Sequence, residues 1–355
     1  MRLPWSRSFS PITRGKPFHE TVVLEHSLLW QFSSSAVYVP NQTMPTIPIQ
    51  PDCCSVPEVL DTQSPPMDFA RVRRAWQRTG KKGSSPFENT VLSRTGELLA
   101  ARLEEIRVQP KIILDLGCRS GLFREALKRL NKGKTRIVSA TFAESCAENI
   151  QQRNRRLALF TKKPGVVCSH PLRLPFPNDT FDGVLSNMAL HWGGNPREQY
   201  REIRRILKPD GVFLFTIPGA QTLIELRTCL AELDQQRWHR LWPRIPEFPS
   251  VHALGDALLG LGFRLPVVDR EIIHPTFADI QTLLHHLRSL GGCNPHSEQH
   301  NALTPKGYFT QLQHLYQSRY ATTSPRLPAT VEILFGHGWR APDKDRCHDR
   351  CHSQP

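Results

Sequence analysis

The sequence predicts an α/β protein built on a doubly wound, mostly parallel β-sheet with helices on both faces. Two observations predict it. Short apolar segments that end in turns alternate with amphipathic segments of helical length between residues 88 and 218. Further helical segments and one late strand follow after that point. Strands that alternate with helices in this way form βαβ units, whose parallel sheet is covered on both sides. Ligands of such sheets bind beyond the carboxyl ends of the strands, so candidate site residues are expected there.

The predicted elements follow one another at short intervals. Strands are predicted at residues 111–117, 135–142, 165–170, 181–190, 209–218 and 328–339. Helices are predicted at residues 88–106, 122–131, 146–159, 195–208, 220–236, 251–263 and 276–292. The alternation is lost after residue 218, and the segment from about 219 to 310 is therefore predicted to be a helical lid over the strand ends.

Composition excludes some classes of protein. The 355 residues are 39% hydrophobic and 22% charged, as is typical of a globular protein. No stretch approaches the ~18 uncharged apolar residues of a spanning helix. The net charge of +14 is spread over predicted helices such as 71–76 and 201–207. It indicates either solvated helix faces or a surface that attracts an acidic macromolecule, a nucleic acid or a small carrier protein. Without the aromatic and basic motif of an RNA-binding module, we expect no nucleic-acid partner and no membrane contact.

The two ends of the chain differ from its centre. Residues 1–66 are rich in Pro and Ser and have no periodicity, which indicates either a start assigned upstream of Met67 or a disordered leader. Residues 341–355 are predicted to be a disordered tail, although "CHDRCH" at 347–352 has the residue types of a metal cluster. Scattered cysteines in apolar runs indicate reduced thiols and a cytoplasmic protein. A mitochondrial location is the alternative if the leader is a transit peptide.

The loop after the first strand is the first candidate site. Asp115 and Leu116 end the strand, and Gly117, Cys118 and Gly121 precede the next helix. Glycines let the backbone approach a ligand closely, and a helix N-terminus supplies free N–H groups. The loop is therefore predicted to bind a nucleoside-bearing ligand. The dinucleotide fingerprint G-x-G-x-x-G is absent, which disfavours a nicotinamide cofactor.

Several segments resemble one enzyme family. Residues 174–192 and 201–216, with the turn "LKPDG", resemble class I S-adenosylmethionine-dependent methyltransferases. "MDFARVRRAW" (67–76), "TLIELR" (222–227), "LLHHLRSLGGCN" (283–294) and "LPATVEILFGHGW" (327–339) are similar to the malonyl-[acyl-carrier protein] O-methyltransferases of biotin synthesis. The complex I assembly arginine hydroxylases share "LHW" and much of the 222–227 pattern. Such a hydroxylase relative, or another decayed or repurposed methyltransferase domain, is the alternative.

The resemblance implies a fold, a cofactor and a partner. It implies a seven-stranded Rossmann-like sheet in a domain of residues 67–340, with S-adenosylmethionine as cofactor. The substrate implied is the free carboxyl of a malonyl thioester on an acyl carrier protein. Because that carboxylate is already ionised at neutral pH, no catalytic residue is expected, and no metal is implied. Arg227 is expected to hold the carboxylate through its planar guanidinium, with a helix-surface arginine paired to Glu225 or to a neighbouring residue as the alternative.

The resemblance also implies the cofactor contacts. They are Asp115, Leu116, Gly117, Cys118 and Gly121 in the loop, Phe142 and Ala143 after the second strand, Ser169 and His170 after the third, and Asn187 at the end of the fourth. Asp115 is expected to orient the loop by accepting its backbone N–H groups. His191 and Trp192 either cover the site or form a structural corner.

Four positions depart from the family pattern. Arg119 stands where the family loop has a glycine, which predicts a strained backbone if φ is positive, or a side chain that intrudes on the cofactor. Phe142 replaces the acid that accepts from the ribose hydroxyls, and Glu144 could substitute only if its loop shifts. His170 replaces the Asp that contacts the adenine amino group. The family's Tyr-Asp pair falls at about Pro86–Phe87.

Overall fold

The computed structural model describes most of the chain between Met67 and Pro342. The described residues are 67–82, 86–106, 108–119, 121, 123–124, 126–127, 135–157, 165–296, 304–305, 307–320 and 326–342. The predictions for residues 1–66 and for the cluster at 347–352 lie outside this part of the chain.

Seven strands form the main sheet, and a two-stranded ribbon lies apart from it. In chain order the strands are β1 Ile112–Leu116, β2 Arg136–Thr141, β3 Val166–Cys168, β4 Phe181–Asn187, β5 Leu207–Pro218, β6 Phe263–Ile273, β7 Thr276–Phe277, β8 Leu327–Pro328 and β9 Val331–Arg340. The main sheet has the order β3-β2-β1-β4-β5-β9-β6, and β7 pairs with β8. The first five strands are parallel, and β9 is antiparallel to both β5 and β6. The predicted doubly wound, mostly parallel, seven-stranded sheet is confirmed.

Helices cover both faces of the sheet. In chain order they are α1 Phe69–Lys82, α2 Pro86–Glu105, α3 Glu144–Leu157, α4 Pro196–Ile206, α5 Ile224–Trp238, α6 Val251–Gly260, α7 Ile280–Ser289 and α8 Tyr308–Tyr320. One core packs α1, α3, α4 and α6 against the sheet and contains Trp76, Phe142, Tyr200 and Phe213. The opposite core packs α2 and residues 123–127 against the sheet through Leu99, Phe123 and Phe335. Burial on both faces explains why the strand sequences are almost continuously apolar.

A third hydrophobic core belongs to a helical cluster made of α5, α7, α8, β7 and β8. Leu226, Leu283, Leu312 and Tyr316 are among its buried residues. Residues 239–250, here called the connector, join this cluster to α6. The cluster differs from the predicted lid of 219–310. Two elements of that segment belong to the sheet region, because α6 packs on one face of the sheet and β6 is its edge strand. The cluster also extends beyond residue 310, through α8 to Ala329.

β6, α8 and the short strand β7 were not predicted from the sequence; β7 occupies the start of the segment predicted as a helix at 276–292. β6 carries Pro266, most of its residues are exposed or half-buried, and its register shifts between Arg264 and Val267. A proline within a strand pattern weakens the signal and is tolerated at a sheet edge, which is where β6 lies. α8 has little amphipathic character because its buried face includes tyrosines, Tyr308 and Tyr316. Within the described residues, no helix combines the length and the apolar character needed to cross a bilayer.

Candidate active site

The loop after β1 lies at the carboxyl edge of the sheet, between β2 and β4. Gly117 and Gly121 have φ of +78° and +76°, a region that L side chains rarely adopt. A Cβ on Gly117 would lie 2.2 Å from the Cβ of Ala189, so this position also needs glycine for the close approach of the β4 turn. The N–H groups of Gly117 and Cys118 donate to the Ala140 carbonyl of β2, at 2.8 and 3.0 Å. The loop is therefore held tightly against β2.

Asp115 is buried at the end of β1 and lies beside Cys118 and Arg124. Burial raises the pKa of its carboxyl to about 6, although a hydrogen bond with the Cys118 thiol and the charge of Arg124 act in the opposite direction. The expectation that Asp115 accepts the loop N–H groups is wrong at Gly117 and Cys118, since both donate to Ala140. The carboxyl oxygen Oδ2 is buried and accepts no hydrogen bond within the described residues. An unsatisfied buried carboxyl oxygen is costly, so this atom suits a ligand donor.

The end of β2 presents an apolar wall. Phe142 and Ala143 follow the strand directly and are buried. The Phe142 ring centroid lies 5.0 Å from that of Trp76 and 6.2 Å from that of Phe69, both on α1. Glu144 does not replace the missing acid. It is exposed at the start of α3, where it accepts hydrogen bonds from Arg73 and from Gln77.

The end of β3 places Ser169 and His170 at the same edge. The Ser169 N–H donates to Thr141 O at 2.9 Å, and its hydroxyl oxygen is buried without a hydrogen-bond partner among the described residues. His170 is exposed, and its ring centroid lies 4.3 Å from that of Phe69. Partial burial and the neighbouring charge of Arg173 lower the pKa of His170. His170 therefore offers a neutral ring, not the carboxylate found in the family.

Asn187 ends β4 and is held inside the fold. Its Nδ2 donates to Leu92 O of α2 at 2.8 Å, and its Oδ1 accepts from the Thr216 hydroxyl at 2.9 Å. Both ends of this amide are therefore used to join α2, β4 and β5. Its predicted contact with the cofactor remains a prediction.

His191 and Trp192 form a 3₁₀ turn after β4, and Phe248 of the connector lies against it. The His191 and Phe248 ring centroids are 5.9 Å apart. Burial, and secondarily the charge of Arg119, lower the pKa of His191 to about 3. The ring is therefore neutral at physiological pH, so it is not a cation that could bind a carboxylate. The connector covers this end of the site.

Arg119 is the least expected feature of the site. Its backbone φ is not in the left-handed region, so the strained backbone predicted at this position does not occur. The side chain is only 9% exposed. Its guanidinium donates to the carbonyls of Ser289 and Leu290 at the end of α7, and to the Thr79 hydroxyl of α1. The Arg119 side chain thus contacts α7 and α1, and its predicted intrusion on the cofactor stays a prediction.

Arg227 lies on α5 and binds the connector. Its Nη1 donates to Ile245 O at 3.1 Å, and its Nη2 donates to Pro246 O at 2.9 Å. The alternative pairing with Glu225 is absent, because Glu225 accepts from the backbone and hydroxyl of Thr330 instead. Arg227 therefore positions the connector, and its contact with a substrate carboxylate stays a prediction.

The described residues fit S-adenosylmethionine at the loop and on the β3 side. The glycine backbone at 117 and 121 permits close approach, and the buried oxygens of Asp115 and Ser169 lack partners among the described residues. The ribose side is different, because Phe142 is apolar and Glu144 points to α1. A ligand at this side would meet aromatic rings and not a carboxylate.

Sequence reasoning missed the contribution of α1 and of residues 289–291. Trp76 packs on Phe142, and the indole ring lies 5.0 Å from the Arg119 guanidinium carbon. In the sequence, the apolar residues Val72 and Trp76 lie four positions apart on a basic segment, which indicates a helix with one buried face. The glycine pair after α7 indicates where that helix ends. Neither signal says which distant segment the element contacts.

Comparisons with known proteins extend these observations. The profile of a methyltransferase domain family matches residues 114–215. The malonyl-[acyl-carrier protein] O-methyltransferase of Halorhodospira halophila is 33% identical over 282 residues, which covers 79% of this chain and 90% of that protein. The Methylovorus enzyme of the same name is 31% identical over 277 residues, covering 77% and 90%. The mitochondrial arginine-hydroxylase NDUFAF5 of Rattus norvegicus is 30% identical over 249 residues, covering 70% and 69%. Among solved structures, the Bacillus subtilis YcgJ protein aligns with a TM-score of 0.49 and 14% identity, covering 69% of this chain and 98% of that one.

Proposed function

Because the chain belongs to the malonyl-[acyl-carrier protein] O-methyltransferase family, we propose that it methylates the free carboxyl of a malonyl thioester carried by an acyl carrier protein. The cofactor is S-adenosylmethionine. The resemblance implies that the methyl ester masks the carboxylate for the first steps of biotin synthesis. The observation that carries the proposal is the extent of the similarity. It spans 282 residues and 90% of the Halorhodospira enzyme, whereas the general methyltransferase-domain profile matches residues 114–215 alone.

The reaction needs positioning more than acid–base chemistry. The cofactor, when bound, supplies a methyl group on a sulfonium that a carboxylate oxygen attacks in line, forming the O–C bond as the S–C bond breaks. The acceptor is already ionised at neutral pH, so no residue must remove a proton. The neutral ring of His191 fits this scheme, since its lowered pKa excludes it as a charged partner. Holding two reactants in an aligned, water-free site supplies most of the acceleration in such reactions.

The parts of the site divide these tasks. Gly117 and Gly121 have no side chains, so the cofactor can approach the backbone of the loop closely. The buried oxygens of Asp115 and Ser169 are available to accept hydrogen bonds from the cofactor. Phe142 supplies an apolar surface. The connector, held by Arg227 and contacting His191 through Phe248, excludes water from the acceptor side.

An acidic carrier protein suits the surface of the chain. The net charge is +14, and α1 exposes Arg74, Arg78 and Lys81 on the side opposite Trp76. Positive surfaces steer acidic partners, and salt screens the attraction. Carrier association is therefore expected to weaken as the salt concentration rises, and salt-independent association would count against this partner.

The test is a direct assay of the product. The purified chain is incubated with S-adenosylmethionine and malonyl-acyl carrier protein, and mass spectrometry of the carrier detects the added methyl group. An acetyl carrier protein serves as control, because it lacks the free carboxylate and should gain nothing. Methylation of both carriers, or of neither, would overturn the proposed acceptor.

Arginine hydroxylation is the second candidate. The similarity to the mitochondrial hydroxylases covers 69% of the rat protein, against 90% of the bacterial methyltransferases. The lower coverage makes it the weaker proposal. To separate the two, a second incubation supplies a protein with exposed arginines, dioxygen and a two-electron reductant. Hydroxylation would then add one oxygen atom to an arginine, with the other oxygen atom leaving as water, whereas methylation adds a methyl group to the malonyl carboxylate.

A further inference from the structure

Arg119 joins three segments that are distant in the sequence. Its Nη1 donates to Leu290 O, and its Nη2 donates to Ser289 O at 3.0 Å and to the Thr79 hydroxyl at 3.2 Å. The loop after β1 is thereby tied to the end of α7 and to α1.

These contacts are favourable for a buried guanidinium. The last carbonyls of a helix have no partner within the helix, and they form the negative end of its dipole, so a cation binds there well. The guanidinium carbon also lies 5.0 Å from the Trp76 ring centroid. Gly291 has φ of +78°, and a Cβ there would lie 3.0 Å from Arg119 Nη1. The glycine that ends the helical segment thus allows the close approach of the arginine.

Arg119 lies at the carboxyl edge of the main sheet, in the loop that follows β1. Ligands of this sheet type bind beyond the carboxyl ends of the strands. The Arg119 loop follows β1, and its charge contributes to the lowered pKa of His191, which follows β4. Trp76 lies next to the Arg119 guanidinium and also packs against Phe142, which follows β2. The guanidinium therefore lies near the residues that follow three neighbouring strands, β1, β2 and β4.

We propose that Arg119 is a positioning residue that latches α7 onto the loop after β1 and keeps the crevice closed until the cofactor displaces it. The helical cluster must release this contact before the cofactor enters. The gating part rests on the proposed function, because it requires S-adenosylmethionine as ligand. The contact of Arg119 with the end of α7 does not depend on the proposed function.

The latch is tested on the cofactor-free protein by amide hydrogen exchange. The reporters are the N–H groups of Leu290, Gly291 and Gly292, which bond within the turn that ends α7. Arg119→Gly should speed their exchange by about tenfold or more, the effect of losing a hydrogen bond to a charged group. Arg119→Lys keeps the charge without the planar donors and should give a smaller effect.

Arg102→Met is the matched control. Arg102 also joins distant elements, since it pairs with Asp269 of β6 and lies 3.7 Å from the Phe335 ring on the other face of the sheet. Its loss should leave the exchange of residues 290–292 unchanged. Unchanged exchange in Arg119→Gly, or equal acceleration in both variants, would overturn the latch.

Gating is tested by the kinetics of S-adenosylmethionine binding. Arg119→Gly should raise the association rate constant by about tenfold or more, while Arg102→Met should not. A general loss of structure would lower affinity, so a gain identifies a contact that the cofactor displaces. A slower or unchanged association rate in Arg119→Gly overturns the gating. If neither the wild type nor any variant binds S-adenosylmethionine, the proposed function fails, while the exchange result still decides the latch.

Discussion

His191 carries the clearest electrostatic consequence of the site at the scale of single residues. Burial first, and the charge of Arg119 second, lower its pKa to about 3. Since the unfolded chain binds the proton near pH 6.5, the unfolded state is favoured as the pH falls from there towards 3. The neutral ring is thus part of the folded state, and its contribution is lost in acid.

His191→Gln should therefore flatten the acid side of the stability profile. Between pH 7 and pH 5, the free energy of unfolding of the wild type should fall about 2 kcal/mol further than that of the variant. Urea denaturation at both pH values measures this difference. His252→Gln, which changes an exposed histidine of α6, should behave like the wild type. Parallel profiles for wild type and His191→Gln would contradict the burial of a neutral ring.

Gly117 shows how one residue shapes the loop, and Gly194 is its control. Both have positive φ, but a Cβ on Gly194 meets nothing within 4 Å, whereas one on Gly117 lies 2.2 Å from Ala189 Cβ. Gly194→Ala should lose about 1–2 kcal/mol of unfolding free energy from the left-handed backbone alone. Gly117→Ala should lose about 1–3 kcal/mol more from overpacking, and it should bind S-adenosylmethionine more weakly. Thermal and urea unfolding of the two variants measure this difference, and equal losses would show that the close approach to β4 is not required.

At the scale of elements, a buried ion pair joins the helical cluster to the connector. Asp234 of α5 is 1% exposed and accepts from Arg244 Nε and Nη2 at 2.7 and 2.8 Å. It also accepts from the Tyr308 hydroxyl of α8 at 2.8 Å. Three segments around the third core thus share one carboxylate.

Asp234→Asn should lower the free energy of unfolding by about 3 kcal/mol, because it leaves the Arg244 charge without its carboxylate. Amide exchange should accelerate in α8 and in the connector before it does in the main sheet. Glu232→Gln is the control on the same helix, since Glu232 pairs with Arg319 near the surface and its loss should cost less than about 1 kcal/mol. Equal losses from the two substitutions would argue against a structural role for the buried pair.

At the scale of elements, the sequence predicts a helix or strand well where its hydrophobic residues recur with the period of that structure. The predicted helix at 195–208 ends at Ile206 in the structure, and β5 begins at Leu207, two residues before its predicted start. Element boundaries shift in this way because adjacent residues suit either state. β6 was missed because Pro266 interrupts its strand pattern. α8 was missed because the tyrosines on its buried face weaken its amphipathic pattern.

At the scale of the whole molecule, the chain combines a sheet with two cores and a helical cluster with a third. The sheet supplies the loop after β1, and the cluster supplies the connector and the end of α7. Arg119 joins the two parts by donating to the carbonyls of Ser289 and Leu290, whereas Arg227 holds the connector on α5 by donating to the carbonyls of Ile245 and Pro246. The proposed latch therefore couples movement of the cluster to access to the loop after β1.

The sequence by itself determined the five parallel strands and β9 of the sheet, the loop of Gly117 and Gly121, and the family, because these depend on local periodicity, turn chemistry and short motifs. The tertiary structure alone decided the partners of Arg119, the packing of Trp76 on Phe142, and the pairing of Glu144 with α1. Each of these contacts joins residues that are at least 40 positions apart in the sequence. A buried arginine donates to whichever carbonyl groups lie near it in the folded chain. The local sequence around the arginine does not indicate which carbonyl groups those are.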